Sequence, residues 1–266
     1  MSLTSPSSLV QQTTPASAPS PSPPSGIHLE SVVLERGGQL LFNGLSLRLD
    51  EPRIGIVGDN GAGKTSLLRL IAGLEQPRSG RVLVHGIDTR ADRAALPGKV
   101  GLMFQNPDDQ IICPTVEEEV GFTLSAQGMP RKEARVAARD FLHAQGLGHW
   151  SARSIAELSQ GQRQQVCLLA LQIGRPATLL LDEPFASLDL PSQHRLSRQI
   201  LAGAQQLVFS THVLDQVRGF ERVLWFEAGQ VRADGPGHEV CEAYRADVQR
   251  RAANPRGAQT AQAVPC

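Results

Sequence analysis

The segment "GDNGAGKTS", Gly58 to Ser66, constrains this chain more than any other stretch. It fits the pattern G-x-x-x-x-G-K-[ST] and carries the flanks that pattern requires. The continuously apolar "RIGIVG" precedes it, and the helical spacing of Leu67, Leu68 and Ile71 follows. A run that is apolar at every position marks a strand buried on both faces of a parallel sheet. The glycines let the chain turn inward so that successive N–H groups converge, the helix N-terminus adds partial positive charge, and Lys64 adds a full one. Such a cradle grips phosphate, with Gly58, Asp59, Asn60, Gly61, Ala62, Gly63, Lys64, Thr65 and Ser66 as candidate contacts. A charge-assisted bond from Lys64 is worth roughly 1.5 to 3 kcal/mol, and the Thr65 hydroxyl can face Mg2+. A ligand-free glycine turn is the alternative, and the strand and helix on either side weigh against it. Lys64, Lys99 and Lys132 are the only lysines, so the match does not come from a Lys-rich background.

Two more apolar strands end in chemistry. "ATLLLD" delivers Asp182 and Glu183, and "QLVFS" delivers Thr211 and His212. Ligands of open α/β sheets bind at the carboxyl ends of strands. Asp182 suits a Mg2+ held through water, Glu183 suits the activation of an attacking water, and His212 suits a contact with a γ-phosphate. An isolated Asp-Glu pair would read as a solvated turn and a lone histidine as structural. Beside a phosphate cradle both readings lose ground.

Around these strands the chain alternates between β and α patterns. "IHLESVVL" and "LSLRL", separated by Gly37-Gly38, read as antiparallel strands, followed later by a strand pair around "GRVLVHG" and the apolar strand "VGLMF". Thr115 and Glu118 form a capping-box pattern for a helix from Val116 towards Gly128. A second helix from Pro130 presents Ala134, Ala137, Ala138, Phe141 and Leu142 on one face, and a third follows Gly161 and stops at Gly174. The expected architecture is α/β, with a mainly parallel core sheet, an antiparallel β subdomain and a helical subdomain over about 108–160. The globular domain spans 27–248. The Ser/Pro-rich residues 1–26 and the segment 249–266 read as disordered tails.

Composition narrows the function classes. Twenty-six basic residues balance 26 acidic ones, which gives no electrostatic reason to expect a nucleic-acid partner. Cys113, Cys167, Cys241 and Cys266 are scattered without a zinc or disulfide spacing, as in a reducing compartment. No apolar run approaches the ~20 residues that cross a bilayer as a helix.

"LSQGQ", Leu158 to Gln162, stands before the third helix. With "GDNGAGKTS", Gln105, "LLLDEP", "SLD" and "STH" in this order, the chain resembles the ATPase subunits of ABC transporters over Ile27 to Val248. The resemblance implies a P-loop ATPase fold, ATP and Mg2+ as cofactors, and two subunits closed head to tail. Each ATP would lie between one subunit's cradle and the other's Ser159, Gln160, Gly161 and Gln162, with Asp189 facing the opposite subunit. Glu183, His212 and Gln105 would be catalytic, and Thr65, Gln105 and Asp182 would serve the metal. Gln160 replaces the usual glycine of the signature. Arg36 stands where this family commonly carries an adenine-stacking aromatic, and a planar guanidinium can stack in its place; a solvent-facing arginine is the alternative.

"FQNPDDQIICPTVEEEVGF" resembles the matching loop of energy-coupling factor transporters, which import vitamins such as biotin or metal ions such as cobalt and nickel. Gln105 can reach the metal or the water, and Pro107 stiffens the exit. The resemblance implies a homodimer or a related ATPase subunit as partner, a transmembrane coupling subunit, a substrate-binding membrane subunit, and a peripheral place on the cytoplasmic face of the membrane. Asp108, Asp109 and Glu117 to Glu119 would receive arginines of the coupling subunit, or would form a solvated helix start. Ile111 and Ile112 would line the docking groove or be buried within the helical insertion. The rivals are a soluble ATPase of this class, such as the iron-sulfur assembly ATPase, and a regulatory nucleotide-binding module without turnover.

Overall fold

The computed structural model describes residues 26–253 apart from Ser187 and Ala204; of the expected tails, residues 1–25 and 254–266 lie outside that range. Two sheets and a helical layer make up the described residues. The strands β9 (Arg222–Glu227), β3 (Arg53–Val57), β8 (Gln206–Ser210), β7 (Thr178–Asp182) and β6 (Val100–Met103) pair in parallel, each with the next. Antiparallel β10 (Gln230–Gly235) completes a six-stranded sheet ordered β10-β9-β3-β8-β7-β6. The second sheet is antiparallel, ordered β2-β1-β4-β5, from β1 (Ile27–Arg36), β2 (Gln39–Leu49), β4 (Ser79–Val84) and β5 (Ile87–Asp88).

Alternation along each strand assigns its residues to opposite faces. Leu180, Val208, Leu224 and Phe226 face α1 (Lys64–Ile71) and share a core with Leu67, Leu68, Ile71 and Phe42 of the antiparallel sheet. Helix α1 is thus held between two sheets, and the Phe42 and Phe226 rings meet edge-on at 6.3 Å between centroids. The next residues along the same strands, Leu179, Leu181, Leu207, Phe209, Val223 and Trp225, face the other way. They pack with α4 (Gln160–Ile173), α5 (Leu190–Leu201) and α6 (Gly237–Ala253).

A third core joins α2 (Val116–Ala126) and α3 (Arg131–Ala144) to Val166 and Leu169 of α4, so the helical layer reaches past residue 160 into α4. Three local expectations need correction. The Thr115–Glu118 capping box does not form: the Thr115 hydroxyl donates to Glu118 Oε2 at 2.8 Å, and no side chain caps the backbone of α2. The capping box is found instead at α4, where Ser159 and Gln162 bond each other's backbone N–H, so the helix starts at Gln160 with Gly161 inside its first turn. Residues 249–253 belong to α6 rather than to a tail, because Arg250 and Arg251 pair with the buried Asp247 one turn earlier.

Candidate nucleotide-binding site

Parallel pairing of β3, β8, β7 and β6 places their carboxyl ends at one edge. That edge therefore collects Gly58, Thr211 and His212, Asp182 and Glu183, and Gln105, as expected for an open α/β sheet. A cavity of about 920 Å³ opens there, lined by Arg36, Gly58, Asp59, Asn60, Gly61, Gly63, Lys64, Thr65, Ser66, Gln105, Glu183 and His212. Of the expected cradle residues, Ala62 alone turns away and is buried beneath the loop.

The loop conformation requires glycine at two positions. At Gly58 (φ +146°) an added Cβ would lie 2.2 Å from the Phe226 carbonyl oxygen. At Gly63 (φ +105°), the N-cap of α1, it would lie 2.8 Å from the Phe42 ring. No side chain caps α1, so the orphan N–H groups of its first turn remain for a ligand. Lys64 is only 6% exposed and donates to the carbonyls of Gly58 (2.8 Å) and Asp59 (3.0 Å). Burial pulls its pKa below the usual lysine value, against the opposing pull of Glu183, Asp182 and Asp59.

Asp182 is 6% exposed and accepts from the Thr65 hydroxyl at 2.7 Å. Burial raises its pKa above the ordinary carboxylate value, with the Thr65 bond opposing. A second cavity of about 310 Å³, lined by Thr65, Gln105, Asn106, Asp109 and Asp182, adjoins it. A buried carboxylate, a hydroxyl and a carboxamide form an oxygen-donor set that suits a small hard cation such as Mg2+, which keeps several waters and needs few protein ligands. The described residues contain no cluster of three or more His, Cys, Asp or Glu that could hold a metal ion.

A carboxylate can only accept, so in the 2.8 Å contact between Glu183 and His212 it is Nδ1–H that donates. Arg36 lies on the cavity wall and donates to the Ser66 hydroxyl at 3.4 Å. Tyr244 of α6 also lines the cavity, and its hydroxyl donates to Asp59 Oδ1 at 2.8 Å. Sequence reasoning missed this residue, although it is the chain's single tyrosine. No motif marks it, and it lies 185 positions from its partner.

The signature is not in the cavity. Ser159 and Gln160 are exposed at the start of α4, beside the start of α5, where an added Cβ at Gly161 would stand 3.2 Å from Ser192 Oγ. Asp189 caps α5 by accepting from the Ser192 N–H at 2.8 Å. The two elements expected to act on another subunit therefore share one surface, apart from the cradle.

Over residues 42–186 the chain matches the family described as ABC transporter. The chain belongs to the ABC transporter family. It is 49% identical over 223 residues to the biotin transport ATP-binding protein BioM of Rhodobacter capsulatus, covering 84% of this chain and 95% of that protein. Identity to the energy-coupling factor transporter ATP-binding protein EcfA1 of Symbiobacterium thermophilum is 39% over 196 residues, covering 70% and 67%. The solved structure of cbiO1 from Clostridium perfringens, part of the ABC transporter complex cbiONQ, matches with a TM-score of 0.71 at 24% identity over 90% of this chain and 99% of that one. At that identity it supports the fold. This ABC protein is an ATPase subunit of the energy-coupling factor type, with the P-loop ATPase fold.

Proposed function

We propose that this ABC ATPase powers biotin uptake by hydrolysing Mg·ATP while docked on the cytoplasmic face of a membrane importer. The observation that carries the catalytic part is the convergence of the cradle and the Glu183–His212 pair on one cavity, with Asp182 bonded to Thr65 where the smaller cavity adjoins it. Lys64 and the N–H groups of the loop hold the phosphates. Thr65, Asp182 and Gln105 would hold Mg2+, which supplies charge neutralisation on the phosphate oxygens when bound. Glu183 takes a proton from the attacking water as general base. With Nδ1 donating to that carboxylate, His212 fixes its orientation, and in the doubly protonated imidazolium Nε2–H would also donate to the γ-phosphate. The Arg36 guanidinium stacks on adenine. The exposed signature and Asp189 complete the site of a second ATPase subunit, the same chain or a related one.

The surface proposed for the membrane partner adjoins the acidic one expected and shares Glu118 with it, while Asp108 and Asp109 stay exposed beside it. Asp108 accepts from Arg163 (2.7 Å), Glu117 pairs with Arg135 (2.5 Å) and Arg139 (3.3 Å), and Glu119 accepts the N–H groups of Ile112 (2.9 Å) and Cys113 (2.8 Å). These acids already have partners within the chain. Beside them a groove of about 830 Å³ between α2 and α3 is lined by Ile112, Phe122 and Met129, by the basic Arg131, Lys132 and Arg135, and by Glu118 of the acidic run. Ile112 is 65% and Phe122 47% exposed. An apolar helix of a transmembrane coupling subunit, carrying acidic side chains, matches this lining. Among the described residues no helix is long and apolar enough to cross a membrane, in keeping with a peripheral subunit that needs such a partner.

Biotin as cargo rests on the similarity to BioM, since the substrate itself would bind another membrane subunit. The test is growth of a biotin-auxotrophic strain whose importer lacks its ATPase. Expression of this chain should restore uptake of labelled biotin at nanomolar supply, and Lys64→Ala should not. Membrane assembly without biotin uptake would retain the transporter reading and reject the cargo.

A further inference from the structure

The first variable residue of the phosphate loop is an acid. Asp59 lines the cavity together with Lys64 and Thr65, and a carboxylate there opposes the approach of a polyphosphate. The chain does not leave it alone. Arg251 Nη1 donates to Asp59 Oδ2 at 2.5 Å and Nη2 to Oδ1 at 3.2 Å, while the Tyr244 hydroxyl donates to Oδ1 at 2.8 Å. Both donors come from α6, on the far face of the six-stranded sheet from α1. Their bonds, Arg251 first, hold Asp59 below the ordinary carboxylate range against the effect of its burial.

The donors are themselves held in place. Asp247 is 4% exposed and receives Arg232 Nη2 at 3.0 Å and Arg250, while Arg251 Nε lies 2.8 Å from its Oδ2 as an ion pair without hydrogen-bond geometry. Arg232 in turn stacks over Trp225 at 4.2 Å, and the Tyr244 ring meets Trp225 edge-on at 5.2 Å. A helix needing only to dock on the sheet would not require a bidentate arginine aimed at the phosphate loop.

We propose that Arg251, seated by Asp247 and assisted by Tyr244, is a positioning residue for nucleotide binding: it neutralises Asp59 and draws it aside so that the cradle accepts the phosphates of ATP. This rests on the reading of the cavity as the ATP site. It differs from simple bracing of α6 because the effect of Arg251 must depend on the charge at residue 59.

The experiment is a thermodynamic cycle on the purified full chain, read as the Kd for Mg·ATP by calorimetry at low and high salt, with melting temperatures in parallel. Arg251→Gln should raise Kd roughly fivefold at low salt, the scale of a partly exposed charge pair. Arg251→Lys should restore most of the affinity, and Tyr244→Phe, which keeps the ring against Trp225, should raise Kd by a smaller factor. In an Asp59→Asn background the Arg251→Gln effect should vanish, and added salt should shrink it in the native background. The same factor in both backgrounds, or no rise in Kd with Arg251→Gln, overturns the proposal. If the unaltered chain fails to bind Mg·ATP, the nucleotide reading itself falls and this proposal with it.

Discussion

Glu183 has φ +45°, a left-handed conformation that non-glycine residues adopt at a cost of about 1 to 3 kcal/mol. Two backbone bonds hold it there: its N–H donates to the Ser210 carbonyl at 2.9 Å, and its own carbonyl accepts from Ala186 at 3.0 Å. The strain lies one residue past the end of β7 and turns the carboxylate onto His212 rather than back towards Asp182. Strain retained at such a point fits a group whose aim matters more than its comfort. Two substitutions separate the chemical end of the site from its base-binding end. Glu183→Gln should keep ATP affinity and slow hydrolysis by ~100-fold or more in the assembled transporter, the usual loss on removing a general base. Arg36→Ala should weaken ATP binding, and an unchanged Kd would reject the stacking role. Turnover retained by Glu183→Gln would reject the general-base assignment.

At the level of elements, the segment from Phe104 to Val120 links two sites. Its first end places Gln105 in the nucleotide cavity, and its middle, at Ile112, reaches the groove of α2 and α3. Between them the chain is stiffened by its own polar side chains. Asn106 Oδ1 accepts from the Asp108 N–H at 3.3 Å, Gln110 Oε1 accepts from the Phe104 N–H at 3.1 Å, and Glu119 clamps two successive N–H groups. A shift at Gln105 therefore has a rigid path to Ile112. Phe122→Asp, on the groove wall, should impair copurification with the membrane subunits while leaving ATP affinity near the native value. Asp108→Arg should act differently, by repelling Arg163 and loosening the segment from α4. If reversal at Asp108 abolishes assembly and Phe122→Asp does not, the docking surface is the acidic one after all.

At the scale of the whole molecule, a single copy keeps cradle and signature on separate surfaces, and the proposed site would take its signature from a second ATPase subunit. Complementation provides the test. Lys64→Ala disables the cradle. Gly161→Asp introduces a charge that suits a helix N-terminus but repels phosphate, and its Cβ, 3.2 Å from Ser192 Oγ, needs only a small shift of that side chain. Transporters assembled from either variant alone should be inactive. Mixed assemblies contain one site with both lesions and one with neither, and should recover activity. If each site were built within one chain, the mixture would be as inactive as its parents.

Much of this architecture is local and was legible in the sequence. The cradle declares itself because its glycines, Lys64 and Thr65 must lie close in sequence to wrap one phosphate, and the buried parallel strands because every position is apolar. The order of motifs along the chain was enough to name the family. Spacing could not sort the acidic run, because a row of glutamates looks alike whether it faces solvent or pairs inward: Glu117 and Glu119 are buried against arginines and backbone N–H groups that no spacing rule connects to them, while Glu118 lines the groove of α2 and α3. Strands β9 and β10 and helix α6 carry no motif, and only tertiary packing brings Tyr244 and Arg251 to Asp59, 185 and 192 positions away. Hydrophobic periodicity depends on neighbours a few residues apart and can be read from the chain. A charge finds its partner through the folded topology, and here that topology decided what surrounds the phosphate loop.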